Sequence, residues 1–274
     1  MWEIHHRWLT LPGNVRGSLI VLVASILSVL MTSFIKHVGQ TIPVVEILFI
    51  RQILVMVIIS PVILKNFNTV FTTRVFRLHA LRGSLSVVAM LTGFVAVVHL
   101  PLAEVTAISF VRTLFTTILA IVFLKEVIGV RRWSSVIVGF IGVLVIVRPE
   151  PDNINAYALL AIASAFFVSC INILMRKLSQ IDKPSTIMAY QSIIVTLAMA
   201  GPAIYLWVTP TLNEVFLIVA IGGLMSVMQW AFIQAFKAGE AAAIAPMEYI
   251  RLLYAVVIGI VFFAEVPTSW TLVG

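Results

Sequence analysis

The chain has 274 residues, of which 61% are hydrophobic and 11% charged, and its mean hydropathy is +1.13. So little charge cannot cover the surface of a water-soluble domain of this length, and the bilayer is the natural solvent. The formal charge of +7 does not imply nucleic acid, because the basic residues concentrate in loops on one side of a membrane, and the single Cys170 excludes an internal disulfide or a CxxC site.

The basic opening "MWEIHHRWLTLPGNVRG" has no convincing small-residue cleavage site and is followed by many apolar runs. It reads as a cytoplasmic lead-in to a first membrane helix, not as a signal peptide. Crossing the hydrocarbon takes about 20 apolar residues. Spans are expected at 17–36, 44–64, 78–98, 103–124, 133–147, 156–175, 186–207, 215–236 and 241–264. The fifth is short and reads as starting earlier. A tenth opens at "PTSWTLVG" and stops at Gly274, which reads as a truncated chain, with a natural nine-helix protein as the alternative.

Lys and Arg in the loops orient the chain. The lead-in and every second loop after it hold 12 of them, Arg7 and Arg16 through Lys237, whereas the alternate loops hold only Lys36 and Arg148. The N-terminus is therefore expected in the cytoplasm. The other four, Arg51, Arg82, Arg112 and Arg251, fall inside apolar spans.

Span nine also repeats span four. "AEVTAISFVRTLFTTILAIVFLKEV" from Ala103 aligns with "GEAAAIAPMEYIRLLYAVVIGIVFFAEV" from Gly239, matching Glu104 with Glu240, Arg112 with Arg251 and Glu126 with Glu265. Five spans per repeat is odd, so the second copy enters from the opposite side, the inverted plan of many secondary transporters. The expected fold is all-α and polytopic, with five-helix units at 17–148 and 155–274.

Together "EILFIRQIL", "LPLAEVTAISF", "FLKEVIGVRRW", "GFIGVLVIVRP" and "PMEYIRLLYA" resemble the EamA-like branch of the drug/metabolite transporter superfamily over nearly the whole chain. The resemblance implies ten helices in two inverted repeats around a central cavity for a small metabolite, such as an amino acid or a related compound. Arg112 stands where members of that family often carry proline, a departure that bears on the cavity.

A charge at mid-membrane costs about 2.5–3.5 kcal/mol on insertion scales, so such residues face the bundle interior and find partners. Glu248 and Arg251 lie three residues apart on one helix face, as a structural ion pair or as a site where Arg251 binds an anionic group and Glu248 orients it or takes a proton. Pro246 just before them can break the helix. Arg112 has no acidic neighbour within four residues. Arg51 and Glu46, five apart, point about 140° away from one another, so Arg51 needs an outside partner, and a carboxylate or phosphate suits its guanidinium. Arg82 sits near a span end and is expected to snorkel to headgroups. Gln229, Trp230 and Gln234 on span eight, and Tyr190 and Gln191 on span seven, are further cavity candidates, with polar contact between helices as the alternative. Glu126 and Glu265 read as gates or interfacial anchors, and Gly139, Gly142, Gly222 and Gly223 as packing residues.

An intramembrane enzyme finds little support: the five histidines are dispersed, and HExxH, GxSxG and Walker A motifs are missing from the sequence. A channel or a non-transporting membrane scaffold is the second alternative; a channel needs a polar stripe along several helices, whereas the charges here are isolated. The reading is a transporter of a small polar metabolite, acting by alternating access in a cytoplasmic (bacterial inner) membrane. No cofactor or metal is implied. The partners implied are the lipid bilayer and the substrate, with a coupling proton on Glu46 or Glu248 and a homodimer left open.

Overall fold

The computed structural model describes residues 12–65, 67–124, 134, 141, 145, 155–178, 180–238, 247 and 249–267. Helices follow in order as α1 (Gly13–Val38), α2 (Val44–Lys65), the single turn α3 (Phe67–Val70), α4 (Phe76–His99), α5 (Leu102–Ser109), α6 (Val111–Leu124), α7 (Ala156–Leu178), α8 (Pro184–Tyr205), α9 (Leu212–Ala238) and α10 (Ile250–Phe263). Among the described residues there is no strand. Lipid cannot satisfy a backbone N–H or C=O, so a chain this apolar closes its hydrogen bonds within helices. Hydroxyls on them turn back onto their own helix, as Thr32 and Ser33 do onto the Ser28 and Val29 carbonyls at 2.9 Å each.

Among the described residues six helical runs are long and apolar enough to cross a membrane: Gly13–Val38, Val44–Pro61, Phe76–His99, Leu102–Phe123, Ala156–Met175 and Ser185–Tyr205. Leu212–Met228 and Ile250–Phe263 are shorter apolar helices. These cover spans one to four and six to nine of the sequence reading. Most of span five lies outside the described residues, as do Glu126, Gly139, Gly142, Pro246 and all of the tenth run after Pro267.

Span four is not one uniform helix. The Phe110 N–H bonds to the Ala107 carbonyl at 3.1 Å, and the Thr113 N–H to the Phe110 carbonyl at 3.0 Å. Both are i to i−3 bonds, which tighten the ladder and separate α5 from α6. The segment α6 begins at Val111-Arg112 and α10 at Ile250-Arg251. The two arginines matched in the sequence each stand second in a 14-residue helix.

Packing follows a twofold pattern. Helix α1 packs on α9 and α4 on α7, joining spans one to eight and three to six. Helix α2 packs on α8, and α5 on α10, joining spans two to seven and four to nine. Exchanging one with six, two with seven, three with eight and four with nine maps these pairings onto themselves, as inverted repeats require.

Small residues set the helix spacing. A Cβ on Gly93 of α4 would stand 2.6 Å from Ser164 Oγ of α7, and one on Gly83 2.6 Å from Ile194 of α8. The α4–α7 contact continues through Ala96, Ala158, Ala161 and Ala165, all buried in one cluster with Leu100 and Ile108. On α9 the expectation for the glycine pair divides. Gly222 is buried, and a Cβ there would meet Leu54 at 3.5 Å. Gly223 is exposed and a Cβ would meet nothing within 4 Å, so it is not a close-packing position.

Candidate functional site

Spans from both halves of the sequence surround a cavity of about 580 Å³. Helix α4 presents a stripe to it: Arg82, Ser86, Met90, Gly93, Phe94 and Val97 all line the cavity. The spacing of three and four keeps these residues on one face of the helix. Helix α2 contributes Arg51 and Gln52, α8 contributes Gln191 and Ser192, and α7 contributes Ser164 and Asn172. Four arginines line the space, Arg51, Arg82, Arg112 and Arg251, and no carboxylate is among the described lining residues.

Arg51 is 2% exposed. Its Nη2 lies 3.3 Å from Met90 Sδ and 3.5 Å from Gln52 Oε1, and its guanidinium sits 5.3 Å from the Phe94 ring centroid. Its Nε has no hydrogen-bond partner among the described residues. Gln52 donates from Nε2 to Ser192 Oγ at 2.8 Å, which ties α2 to α8 beside Arg51.

Arg82 departs from expectation. It does not snorkel to the lipid headgroups: it is 5% exposed and lines the cavity. Ser86, one turn on, donates to the Arg82 carbonyl at 2.8 Å. Distance from the span end indicates the depth of Arg82 but not its direction, and α4 turns this side chain into the cavity.

The α5–α6 break places Arg112. Ser169 Oγ of α7 donates to the Arg112 carbonyl at 2.8 Å, holding the first turn of α6 in place. Phe110, at the break, meets both Tyr249, with ring centroids 4.8 Å apart, and Arg251, whose guanidinium lies 5.7 Å from the Phe110 centroid. The structure thus brings Arg51, Arg112 and Arg251 to one cavity.

Other candidates stand elsewhere. Glu46 is fully buried at the start of α2, accepts the Val208 N–H on Oε2 at 3.0 Å, and is not among the cavity-lining residues. Tyr190 donates from its hydroxyl to the Phe71 carbonyl at 2.9 Å and stacks on His79 with centroids 4.7 Å apart. It too is absent from the lining, while its neighbour Gln191 is present. Glu248 lies outside the described residues, as do the side chains of Gln229, Trp230 and Gln234. One turn before them on α9, Met225 and Ser226 line the cavity.

Each end of the bundle carries a polar closure. At one end, α10 stops with Ala264 in the left-handed region, φ 53°, and the Glu265 N–H reaches back to the Gly259 carbonyl at 3.0 Å. That turn aims the Glu265 carboxylate at Lys36 of α1, with which it pairs, and at the Leu102 N–H, which donates to Oε2 at 2.8 Å. Lys36 also donates to the Leu100 carbonyl. At the other end His79 Nε2 lies 2.8 Å from Asp182 Oδ2, and Thr73 Oγ1 donates to that oxygen at 2.7 Å. Both closures join elements of the first half to elements of the second. The sequence marks Glu265 as a gate or an anchor; Asp182, in a loop, carries no such signal.

Comparison with known proteins places the chain. A solved crystal structure superposes with a TM-score of 0.65 over 94% of this chain and 92% of that one, at 14% identity, which shows a shared fold. The S-adenosylmethionine uptake transporter of Rickettsia bellii is 30% identical over 87% of this chain and 82% of its own. The riboflavin transporter of Vibrio cholerae is 27% identical over 92% and 86%. The pseudopaline exporter CntI of Pseudomonas aeruginosa is 26% identical over 94% and 91%. The model of the EamA-like transporter family matches residues 15–148 and again 155–274. A polytopic helical chain matched twice by that model, on either side of one cavity, belongs to the EamA-like transporter family.

Proposed function

We propose that the protein is a secondary transporter that carries a small polar metabolite, anionic or zwitterionic, across a cytoplasmic membrane by alternating access. The observation that carries this reading is the cavity between the two halves, lined by four arginines from α2, α4, α6 and α10. Guanidinium groups held in a low-dielectric interior recognise carboxylate and phosphate strongly, and mid-membrane charge marks substrate pathways. A volume of about 580 Å³ falls within the range of small-molecule sites.

The two end closures fit the same scheme. In alternating access one repeat rocks against the other, so contacts that bridge the halves at each end must break in turn. Lys36–Glu265 and His79–Asp182 are such contacts. The loop charges support a cytoplasmic N-terminus, which puts the Lys36 closure outside and the Asp182 closure inside. The names of the relatives support transport of small metabolites, and their variety leaves the substrate to be found by assay.

The test is a ligand screen on the purified protein, read as a shift in melting temperature. The panel holds amino acids, organic anions, S-adenosylmethionine and riboflavin, with Arg51→Ala and Arg251→Ala run alongside. A compound that raises the melting temperature of the unchanged protein but of neither variant is the expected result. Equal shifts in the variants would show that these arginines do not hold the ligand.

A further inference from the structure

The four arginines of the cavity are not gathered at one point. Arg51 has its guanidinium beside Met90 and Phe94 of α4. Arg82 sits eight residues before Met90 on the same helix, about 12 Å lower at 1.5 Å per residue. Side chains on a helix lean toward its N-terminus, Met90 and Arg82 of α4 alike, so the rise between them carries over to the two cations. The two cations therefore stand toward opposite ends of one cavity. Each has hydrogen-bonding company: Gln52 and Ser192 beside Arg51, Ser86 one turn from Arg82.

Both arginines are more than nine-tenths buried as residues, and the Nε of each is buried with no partner among the described residues. Neither has a carboxylate partner among the described residues. A buried cation without a counter-charge is costly, and one carboxylate cannot reach two cations this far apart. We propose that the cavity binds an elongated dianion, with one anionic group seated on Arg51 and the other on Arg82. The inference rests on the transport reading and adds the substrate class to it. It uses Arg51 and Arg82 alone, whatever Arg112 and Arg251 hold. Between Arg82 and Met90 the α4 lining is Ser86 and Ala89, small side chains that leave room for a carbon chain linking the two charges.

The experiment measures binding of two probe series to the purified full chain by calorimetry. One series is the α,ω-dicarboxylates from succinate to suberate, and the other is the monocarboxylates of the same lengths. The expected result is a dicarboxylate of optimal length that binds at least about tenfold more tightly than its monocarboxylate, the scale of one buried charge-assisted pair. Arg51→Gln and Arg82→Gln should each reduce that ratio to near one, and Arg82→Lys should keep much of it, which separates loss of charge from loss of fold. The inference is overturned if the two series bind alike at every length, or if Arg82→Gln leaves the dicarboxylate affinity unchanged. It is also overturned if no dicarboxylate binds while another compound of the metabolite panel does; that outcome leaves the transport reading standing. If neither the series nor the panel yields a ligand, the transport reading itself fails.

Discussion

Gly93 offers a direct check on the packing that shapes the cavity. A Cβ at this position would stand 2.6 Å from Ser164 Oγ and 3.4 Å from Ser164 Cβ. Ser164 in turn donates from Oγ to the Ala89 carbonyl at 2.8 Å. In Gly93→Ala the helices must part, or Ser164 must rotate off its acceptor. Overpacking costs about 1–3 kcal/mol, and the lost interhelical hydrogen bond about 0.6 kcal/mol in a membrane. Higher helix propensity returns at most about 1 kcal/mol, so the net loss is roughly 1–2 kcal/mol. Ser164→Ala alone loses only the hydrogen bond. The double variant has no Oγ to strike, and its two Cβ atoms sit in a tight but tolerable contact. It is expected to be about as stable as Ser164→Ala alone, a coupling of about 1–2 kcal/mol. The assay is an unfolding titration of the four proteins in mixed micelles, analysed as a double-mutant cycle. Additive losses would refute the geometry, because they would mean that Gly93 and Ser164 do not share this space.

Glu265→Gln removes the charge that holds Lys36 while keeping an acceptor for the Leu102 N–H. With Cys170 replaced and a cysteine placed at Thr106 in the cavity wall, a membrane-impermeant maleimide added outside should label Glu265→Gln several-fold faster; an unchanged rate would remove the closure from the gating scheme. Gln52→Ala breaks the α2–α8 bond to Ser192 and should cost about 0.6–1.7 kcal/mol in the same unfolding titration, with no effect if Gln52 is instead satisfied by water. Reporter fusions after Lys65 and after Gly39 should report cytoplasmic and external locations respectively, and the reverse pattern would invert the orientation.

The spans were legible because hydropathy and membrane thickness constrain each other: a run of about 20 apolar residues has few alternatives to a crossing helix. The mid-membrane arginines were legible as candidates for the cost argument alone. Which way each residue faces was not, since that depends on how neighbouring helices cross. Arg82 is the plainest case: its distance from the span end pointed to headgroups, yet α4 turns it inward. A signal was present in the sequence, in the spacing of Arg82, Ser86, Met90, Gly93 and Phe94 on one helix face. Tyr190 and Gln191 show the same limit in reverse, adjacent residues of which only Gln191 lines the cavity. The break at Phe110 had no proline to announce it; it shows only as i to i−3 bonds on either side of Phe110. Likewise the Glu265 closure depends on a left-handed alanine at 264, where glycine would have flagged the turn.

The central claim is that substrate passes through the arginine-lined cavity, and counterflow in proteoliposomes tests it most directly. Vesicles are loaded with an unlabelled compound found by the ligand screen, and uptake of the labelled form is followed with the unchanged protein, Arg51→Ala and Arg51→Lys. Saturable counterflow that Arg51→Ala abolishes and Arg51→Lys partly restores is the predicted result. Flux of equal size through Arg51→Ala, with the protein folded and inserted to the same extent, would contradict the account.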